Sequence, residues 1–212
     1  MSYLELDTEY EGDDIEMLRN EVHRFAEEVM RPAAVEIDAM ERDEYLGITE
    51  RGSPYWDVME GIKGELGAHR AVIPSEFGGG GLSGREFHTL FEELGWGSSG
   101  LAIAFGVDII PAMFAVMSFD DEVRESFLDP YLEDDEAEFQ GCWGLTEPAH
   151  GSELVMTDTL LREGTDDEIS ETQASAEKAE DGDGWIINGV KSSWVTAAPV
   201  ATHCALHVNM NP

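Results

Sequence analysis

The residues with the clearest potential for chemistry lie in one short loop, GCWGLTEPAHGSE at 141–153. Thr146 and Ser152 offer short hydroxyl donors on either side of Pro148. Gly151 lets backbone N–H groups approach a ligand with no Cβ in the way. Such a loop can curl around a phosphate or the edge of a flat ring. The alternative is a structural turn that Pro148 and Gly151 merely shape, and from the residues alone both interpretations stay open.

A second candidate site is Trp194-Val195-Thr196, in a segment that we predict to be a strand. Residues two apart on a strand share one face. The Trp194 indole would then stack on an aromatic ligand while the Thr196 hydroxyl donates to its edge. Taken alone, the pattern favours a tryptophan that fills the core. Two strands with a hydroxyl and an aromatic side chain in one small region favour a shared flat ligand.

Other motifs point away from chemistry. The glycine-rich stretch IPSEFGGGGLSGREF at 73–87 lacks the Lys-Ser/Thr ending of a phosphate loop, and we interpret it as a turn between helices. The six histidines lack the spacing of a metal-binding motif, so we predict no metal site. No G-x-S-x-G motif indicates a serine hydrolase.

The charge of the chain is extreme. Its 46 acidic and 12 basic residues give a net charge of −34 over 212 residues. Such a surface repels phosphate backbones and anionic membranes, which argues against nucleic-acid binding. Because the acidic residues are spread along the chain, we expect a protein adapted to concentrated salt, with an acidic mesophile as the alternative.

Cellular location follows from what the sequence lacks. Cys142 and Cys204 are the only cysteines, so no disulfide framework is expected. The N-terminus has no secretory pattern. The apolar region 101–117 is interrupted by a glycine, an aspartate and a proline and looks too short to span a bilayer. We expect a cytoplasmic protein without a membrane span.

Helical patterns fill the first two thirds of the chain. The apolar stripe and the capping residues predict a first helix from Asp13, with a capping box to Glu16, which Pro32 ends or kinks. Further helices are predicted from Ser53-Pro54 to Gly67, from a Ser83–Glu86 capping box, over 101–117 as the buried central helix, and from Asp120 or Asp121 to near Pro130.

Strand patterns begin after Phe139. Asn188-Gly189 between apolar residues predicts a type I′ hairpin that continues at Val190. The acidic run 163–183 is expected to be a solvated loop or a β-arm. The sequence predicts an α+β protein, with an all-α N-terminal helical domain at 1–138 and a β-domain at 139–212.

Four segments resemble the acyl-CoA dehydrogenase family in the family's own order: VIPSEFGGGGLS, FEELGW, GLTEPAHGSE and DGDGWIINGVKSSWVT. The resemblance covers nearly the whole chain. It implies an antiparallel β-barrel or sandwich after the helical domain, incomplete here, and FAD as the cofactor. The cofactor-binding residues it implies are Trp143, Leu145, Thr146, Gly151, Ser152, Trp194, Val195 and Thr196, and Ser152 also meets the substrate.

The sequence departs from the family pattern in several places. His150 and Glu153 replace the usual alanine and aspartate, and one extra residue separates Lys191 from Trp194. The extra residue indicates a bulge or a shifted register. The chain ends at Pro212, so we expect the general base in a C-terminal helical region beyond it, and no catalytic residue is assigned.

The implied reaction is the α,β-dehydrogenation of an acyl-CoA thioester to the enoyl-CoA. A carboxylate removes the α-proton while the β-hydride passes to the flavin. Implied partners are the acyl-CoA substrate and an electron-transferring flavoprotein, with a homo-oligomer when the protein is complete. The alternatives are a flavin-dependent monooxygenase or acyl-CoA oxidase on the same scaffold, or a catalytically incomplete remnant.

Overall fold

The computed structural model describes residues 12–148, 151, 174–180 and 184–211. His150, Ser152 and Glu153, and most of the acidic run, lie outside the described residues. The helices are α1 (Asp13–Phe25), α2 (Arg31–Ala39), α3 (Arg42–Tyr45), α4 (Pro54–Glu60), α5 (Ala68–Ala71), α6 (Gly84–Gly97), α7 (Ser99–Asp108), α8 (Ile110–Met117) and α9 (Asp121–Leu132). The strands are β1 (Gly141–Gly144), β2 (Ser175–Lys178), β3 (Trp185–Asn188), β4 (His203–Leu206) and β5 (Asn209–Asn211).

Pro32 lies within a helical run that it was predicted to end or kink. A π-helical turn, Ala26–Met30, joins α1 directly to α2, and Pro32 lies in the first turn of α2. In the first turn, a proline breaks fewer helical hydrogen bonds than it does in the interior of a helix. Helix α9 ends at Leu132, two residues after Pro130, which confirms the end predicted near Pro130.

Capping signals correctly located several helix ends. Ser83 and Glu86 form the predicted capping box, with Ser83 N donating to the Glu86 carboxylate at 2.7 Å. Gly67 adopts φ 60° where the helical run from Pro54 stops. The predicted box at Asp13 is wrong, because α1 begins at Asp13 itself and Gly12 is its N-cap, with no side-chain cap bond.

The glycine-rich stretch is a tight turn, as predicted. Gly79 and Gly80 pack directly on the backbone after α5. A Cβ at Gly79 would overlap the Ile73 carbonyl, and one at Gly80 would lie 2.9 Å from Ala71 Cα. The glycines therefore permit close packing of the turn against α5 and do not form a phosphate loop.

Helices α7 and α8 follow each other with only Ile109 between them. Among the described residues this is the stretch long and apolar enough to cross a membrane, with 19 residues from Ser99 to Met117 and a mean hydropathy of 2.0. The expectation that it is too short is therefore wrong, whereas the expected interruption is present as the break at Ile109 between the two helices. More than half of it is buried within the fold, and its Asp108 pairs with Lys63. It is the central helix of the core.

The strands form two small sheets, and the α+β class is confirmed. β1 pairs with β4 in parallel, while β2 lies between antiparallel β3 and parallel β5. These described strands close no barrel. Helices end at Leu132 and β1 begins at Gly141, but the division into domains at residue 138 stays a prediction.

The predicted Asn188-Gly189 hairpin is wrong. β3 pairs with β2, which precedes it, and Val190 lies in no strand. Gly189 packs so closely on Ala174 that a Cβ would overlap it. The glycine serves a close backbone approach, a requirement that the local sequence pattern cannot distinguish from a turn.

Candidate functional site

A buried ion pair, which was not predicted from the sequence, holds the loop that follows β1 in place. Lys191 Nζ lies 2.7 Å from Glu147 Oε1 and donates to the Leu145 carbonyl at 3.3 Å. The Glu147 side chain is fully buried, and Oε1 also accepts from Ala174 N at 3.0 Å. The sequence did hold a signal for this pair. Lys191 is one of only 12 basic residues in the chain, and it lies in a segment that resembles the family.

A backbone hydrogen bond joins the two segments that were predicted to hold a ligand. Ser192 N donates to the Thr146 carbonyl at 2.9 Å. Thr196 follows four residues later, at most about 14 Å of extended chain away. No hydrogen bond among the described residues involves the hydroxyl of Thr146 or of Thr196.

The strand predicted at Trp194-Val195-Thr196 does not form. Hydrogen bonds from Ala198 N to the Val195 carbonyl and from Val200 N to the Ala197 carbonyl make consecutive turns instead. Pro199 removes a donor that a strand ladder needs, and Ala197 adopts φ 59°. The Trp194 side chain is 79% exposed. The argument that Trp194 and Thr196 share a strand face is therefore wrong.

Trp143 occupies the predicted β1 strand and is half-buried. Its indole Nε1 donates to His207 Nδ1 at 3.1 Å, so the neutral His207 ring carries its proton on Nε2. Burial, and next the charge of Lys191, lower the pKa of His207. Sequence reasoning missed this histidine, because a contact between β1 and the residue after β4 depends on strand pairing.

The structure also describes Leu145 and Gly151, two further residues that were predicted to bind the cofactor. Leu145 is buried at 8% exposure, directly after β1. Gly151 is half-buried, and Ser152 lies outside the described residues. The residues that the structure describes contain no group of three His, Cys, Asp or Glu side chains placed to hold a metal ion.

An apolar cleft of about 640 Å³ borders the second segment. Helices α2 and α7 and the turn at 196–200 form its walls. The side chains that line it on these elements include Ala34, Val35, Leu101, Ala104, Thr196 and Val200. Thr196 adds a hydroxyl to this lining, which also contains the charged Arg31 and Asp38, so the cleft suits an apolar ligand that carries a polar end.

A buried charge cluster holds β1 against the helices. Lys63 is fully buried, with Nζ 3.0 Å from Asp108 Oδ2 and 2.9 Å from Asp134 Oδ2. Asp108 Oδ1 accepts from Gly141 N, the first residue of β1, at 2.7 Å. Burial raises the pKa of Asp108. The first residue of β1, the strand that carries Trp143, is therefore hydrogen-bonded to a carboxylate of the central helix.

Comparisons with known proteins agree with this architecture. The model for the acyl-CoA dehydrogenase N-terminal domain matches residues 12–135. Glutaryl-CoA dehydrogenase of Desulfococcus multivorans is 28% identical over 191 residues, which cover 89% of this chain and 41% of that protein.

Solved structures show the same fold. Glutaryl-CoA dehydrogenase from Mycobacterium smegmatis superposes with a TM-score of 0.69 at 22% identity, covering 97% of this chain and 45% of that one. An acyl-CoA dehydrogenase from Bacillus anthracis, complexed with FAD, gives 0.64 at 19% identity, over 95% of this chain and 30% of that one.

The chain belongs to the acyl-CoA dehydrogenase family, as its four segments predicted. It spans about two fifths of the length of the glutaryl-CoA and short-chain acyl-CoA dehydrogenases that it matches.

Proposed function

We propose that this chain provides the helical layer and the first flavin-binding segments of an FAD-dependent acyl-CoA dehydrogenase. The reaction is the α,β-dehydrogenation of an acyl-CoA thioester to the enoyl-CoA. One observation carries the proposal: the Glu147–Lys191 pair joins the Thr146 loop to the segment that leads to Thr196. The names of the related glutaryl-CoA and short-chain acyl-CoA dehydrogenases support the substrate class.

The residues present fit a flat, polar-edged cofactor. Two hydroxyls without partners among the described residues, on Thr146 and Thr196, are short donors for ring-edge acceptors. The exposed Trp194 indole offers a face for stacking, and Leu145 with Trp143 gives an apolar floor. When bound, FAD supplies the redox chemistry by accepting the hydride from the acyl β-carbon. The resemblance adds Val195, Gly151 and Ser152 to this site.

The apolar cleft is our candidate for the acyl chain. Its volume of about 640 Å³ and its lining alanine, valine and leucine side chains suit a hydrocarbon tail, while Arg31 and Asp38 add charged groups to the lining. Thr196 lines this cleft and follows, by four residues, the Ser192 that bonds to the Thr146 loop. A tail held there directs the thioester end toward the hydroxyl donors, and no described carboxylate is assigned as the base.

The wider context is also part of the proposal. An electron-transferring flavoprotein takes up the electrons, and the complete protein forms a homo-oligomer. The location is a salt-adapted cytoplasm, which the net charge of −34 supports.

Flavin titration tests the cofactor site. The isolated chain, which carries one wall of the expected site, should bind FAD weakly, so the quenching of FAD fluorescence is followed with the chain supplied with the remaining family region in molar salt. Lys191→Met should weaken this binding at least tenfold, because it releases the Thr146 loop. Lys178→Met is the matched control, since Lys178 is an exposed lysine on the neighbouring strand β2. Equal FAD affinity in both variants and the parent chain would contradict the assigned site.

Anaerobic mixing with CoA thioesters tests the reaction. Glutaryl-CoA and butyryl-CoA should bleach the flavin absorbance of the FAD-loaded protein, supplied with the remaining family region where the chain needs it. The oxidase and monooxygenase alternatives predict rapid reoxidation of the bleached flavin by oxygen. The remnant alternative predicts no bleaching with any thioester.

A further inference from the structure

The two cysteines of the chain lie opposite each other on neighbouring strands. In the parallel pairing of β1 with β4, Cys142 is in register with Cys204. Neighbouring strands lie about 4.8 Å apart, within the Cα separations of about 4.4–6.8 Å that disulfides bridge. The register therefore brings the two residues to bridging distance without any change in strand pairing.

The sulfur of Cys204 points to the face of β1 that carries Cys142. A Cβ built on Gly144 would lie 3.1 Å from Cys204 Sγ, and Gly144 shares a strand face with Cys142 because the two residues are two apart. The strand register and the direction of the Cys204 side chain are separate observations, and both place the two thiols on the same face of the sheet.

The surroundings of the two thiols differ. Cys142 is 4% exposed, whereas Cys204 is exposed to solvent. An oxidant in solution therefore reaches Cys204 first, and Cys142 lies behind it as the resolving thiol. Burial, and next the neighbouring Cys204, raise the pKa of Cys142 to about 12, which fits a thiol that reacts second.

We propose that Cys142 and Cys204 are a modification site that forms a reversible cross-strand disulfide with a low-molecular-weight disulfide as oxidant. The Cys204 thiolate attacks the oxidant, forms a mixed disulfide and releases one thiolate. The Cys142 thiolate then attacks the Cys204 sulfur and releases the second thiolate. The two protons from the cysteines go to the two released thiolates. The cysteines are oxidised, and one small disulfide is reduced to two thiols.

The bridge would tie β1 covalently to β4 beside Trp143 and Leu145. It does not depend on the proposed enzymatic function, because both thiols and the strand pairing are properties of the chain itself. A disulfide within a redox-buffered compartment is expected to be transient, in keeping with an exposed entry thiol.

Glutathione disulfide is the probe for the test, added to the native chain in molar salt and followed by intact mass. We expect a transient glutathione adduct and then a product lighter than the parent by two hydrogens, with both free thiols lost and recovered on reduction. The closing step should accelerate about tenfold per pH unit between pH 7 and pH 9, since it needs the Cys142 thiolate.

Two serine variants give the matched controls. Cys142→Ser should stop at a stable glutathione adduct on Cys204, and Cys204→Ser should react at least tenfold more slowly than the parent chain. Where a variant fails to fold, peptide mapping of the oxidised parent chain decides instead, through a peptide that links residues 142 and 204. A stable mixed adduct on the native parent chain, or a dimer linked through Cys204, would overturn the proposal.

Discussion

Lys191 reaches across 44 residues of sequence to place its ammonium 2.7 Å from the buried carboxylate of Glu147. The pair fixes the Thr146 loop to the segment that carries Ser192 and Thr196. Removing the lysine takes a close cation away from a fully buried carboxylate, and breaking comparable buried pairs costs about 3–5 kcal/mol.

Lys191→Met should therefore lower the free energy of unfolding by about 3 kcal/mol or more. Glu147→Gln combined with Lys191→Met should recover much of that loss, because the buried amide carries no charge. Denaturant unfolding in molar salt measures both variants, with Lys178→Met as control. A single lysine variant as stable as the parent chain would show that the pair does not hold the loop.

Thr146→Val separates a cofactor contact from a structural turn. The Thr146 carbonyl keeps its bond from Ser192 whatever the side chain, so the fold should remain. Loss of one hydrogen bond to the flavin should weaken FAD binding by about 0.5–1.5 kcal/mol, roughly two- to tenfold, and slow flavin reduction.

Melting curves and stopped-flow reduction of the same Thr146→Val preparation distinguish the two roles. An unchanged melting temperature with slower reduction supports the contact. A lower melting temperature with unchanged reduction supports the turn.

His69 should make stability depend on pH. It is fully buried, with an edge-on contact to Tyr131 and no hydrogen-bond partner for its ring nitrogens among the described residues. Burial, and next the charges of Lys63 and Arg70, lower its pKa from 6.5 to about 4. Between these values the unfolded chain binds a proton that the folded chain does not, so stability falls as the pH falls.

The expected loss from His69 is about 2 kcal/mol between pH 7 and pH 5. His69→Phe keeps a ring against Tyr131 and removes the titrating group, so its stability should vary less over that range by the same amount. Urea unfolding at the two pH values measures the difference. Parallel pH profiles for the variant and the parent chain would contradict the assignment.

Folding should require concentrated salt. The chain has a net charge of −34, so its acidic side chains repel one another until ions screen them. The Debye length falls to about 3 Å in 1 M salt. Circular dichroism should show a cooperative melt in molar salt and its loss in dilute buffer. A cooperative native transition in dilute buffer would rule out the salt-adapted interpretation.

Local signals allowed much of the fold to be predicted. The capping box at Ser83, the left-handed Gly67 and the strand around Trp143 depend on residues within a few positions of each other. The family could also be identified from the sequence, because its four segments are contiguous stretches in a set order. Those features are encoded by neighbours along the chain, where steric and hydrogen-bonding preferences act directly.

The tertiary structure decided what depends on distant partners. The choice of β2 as partner for β3, the exposure of Trp194 and the contact between Trp143 and His207 follow from packing, which short-range patterns do not encode. Pro32 shows the same limit, because a π-turn lets the helix continue through it. The amino-acid sequence determined which residues could bind and where helices and strands arise. The fold decided which of those residues meet, because an ion pair such as Glu147–Lys191 forms only when packing closes the chain between them.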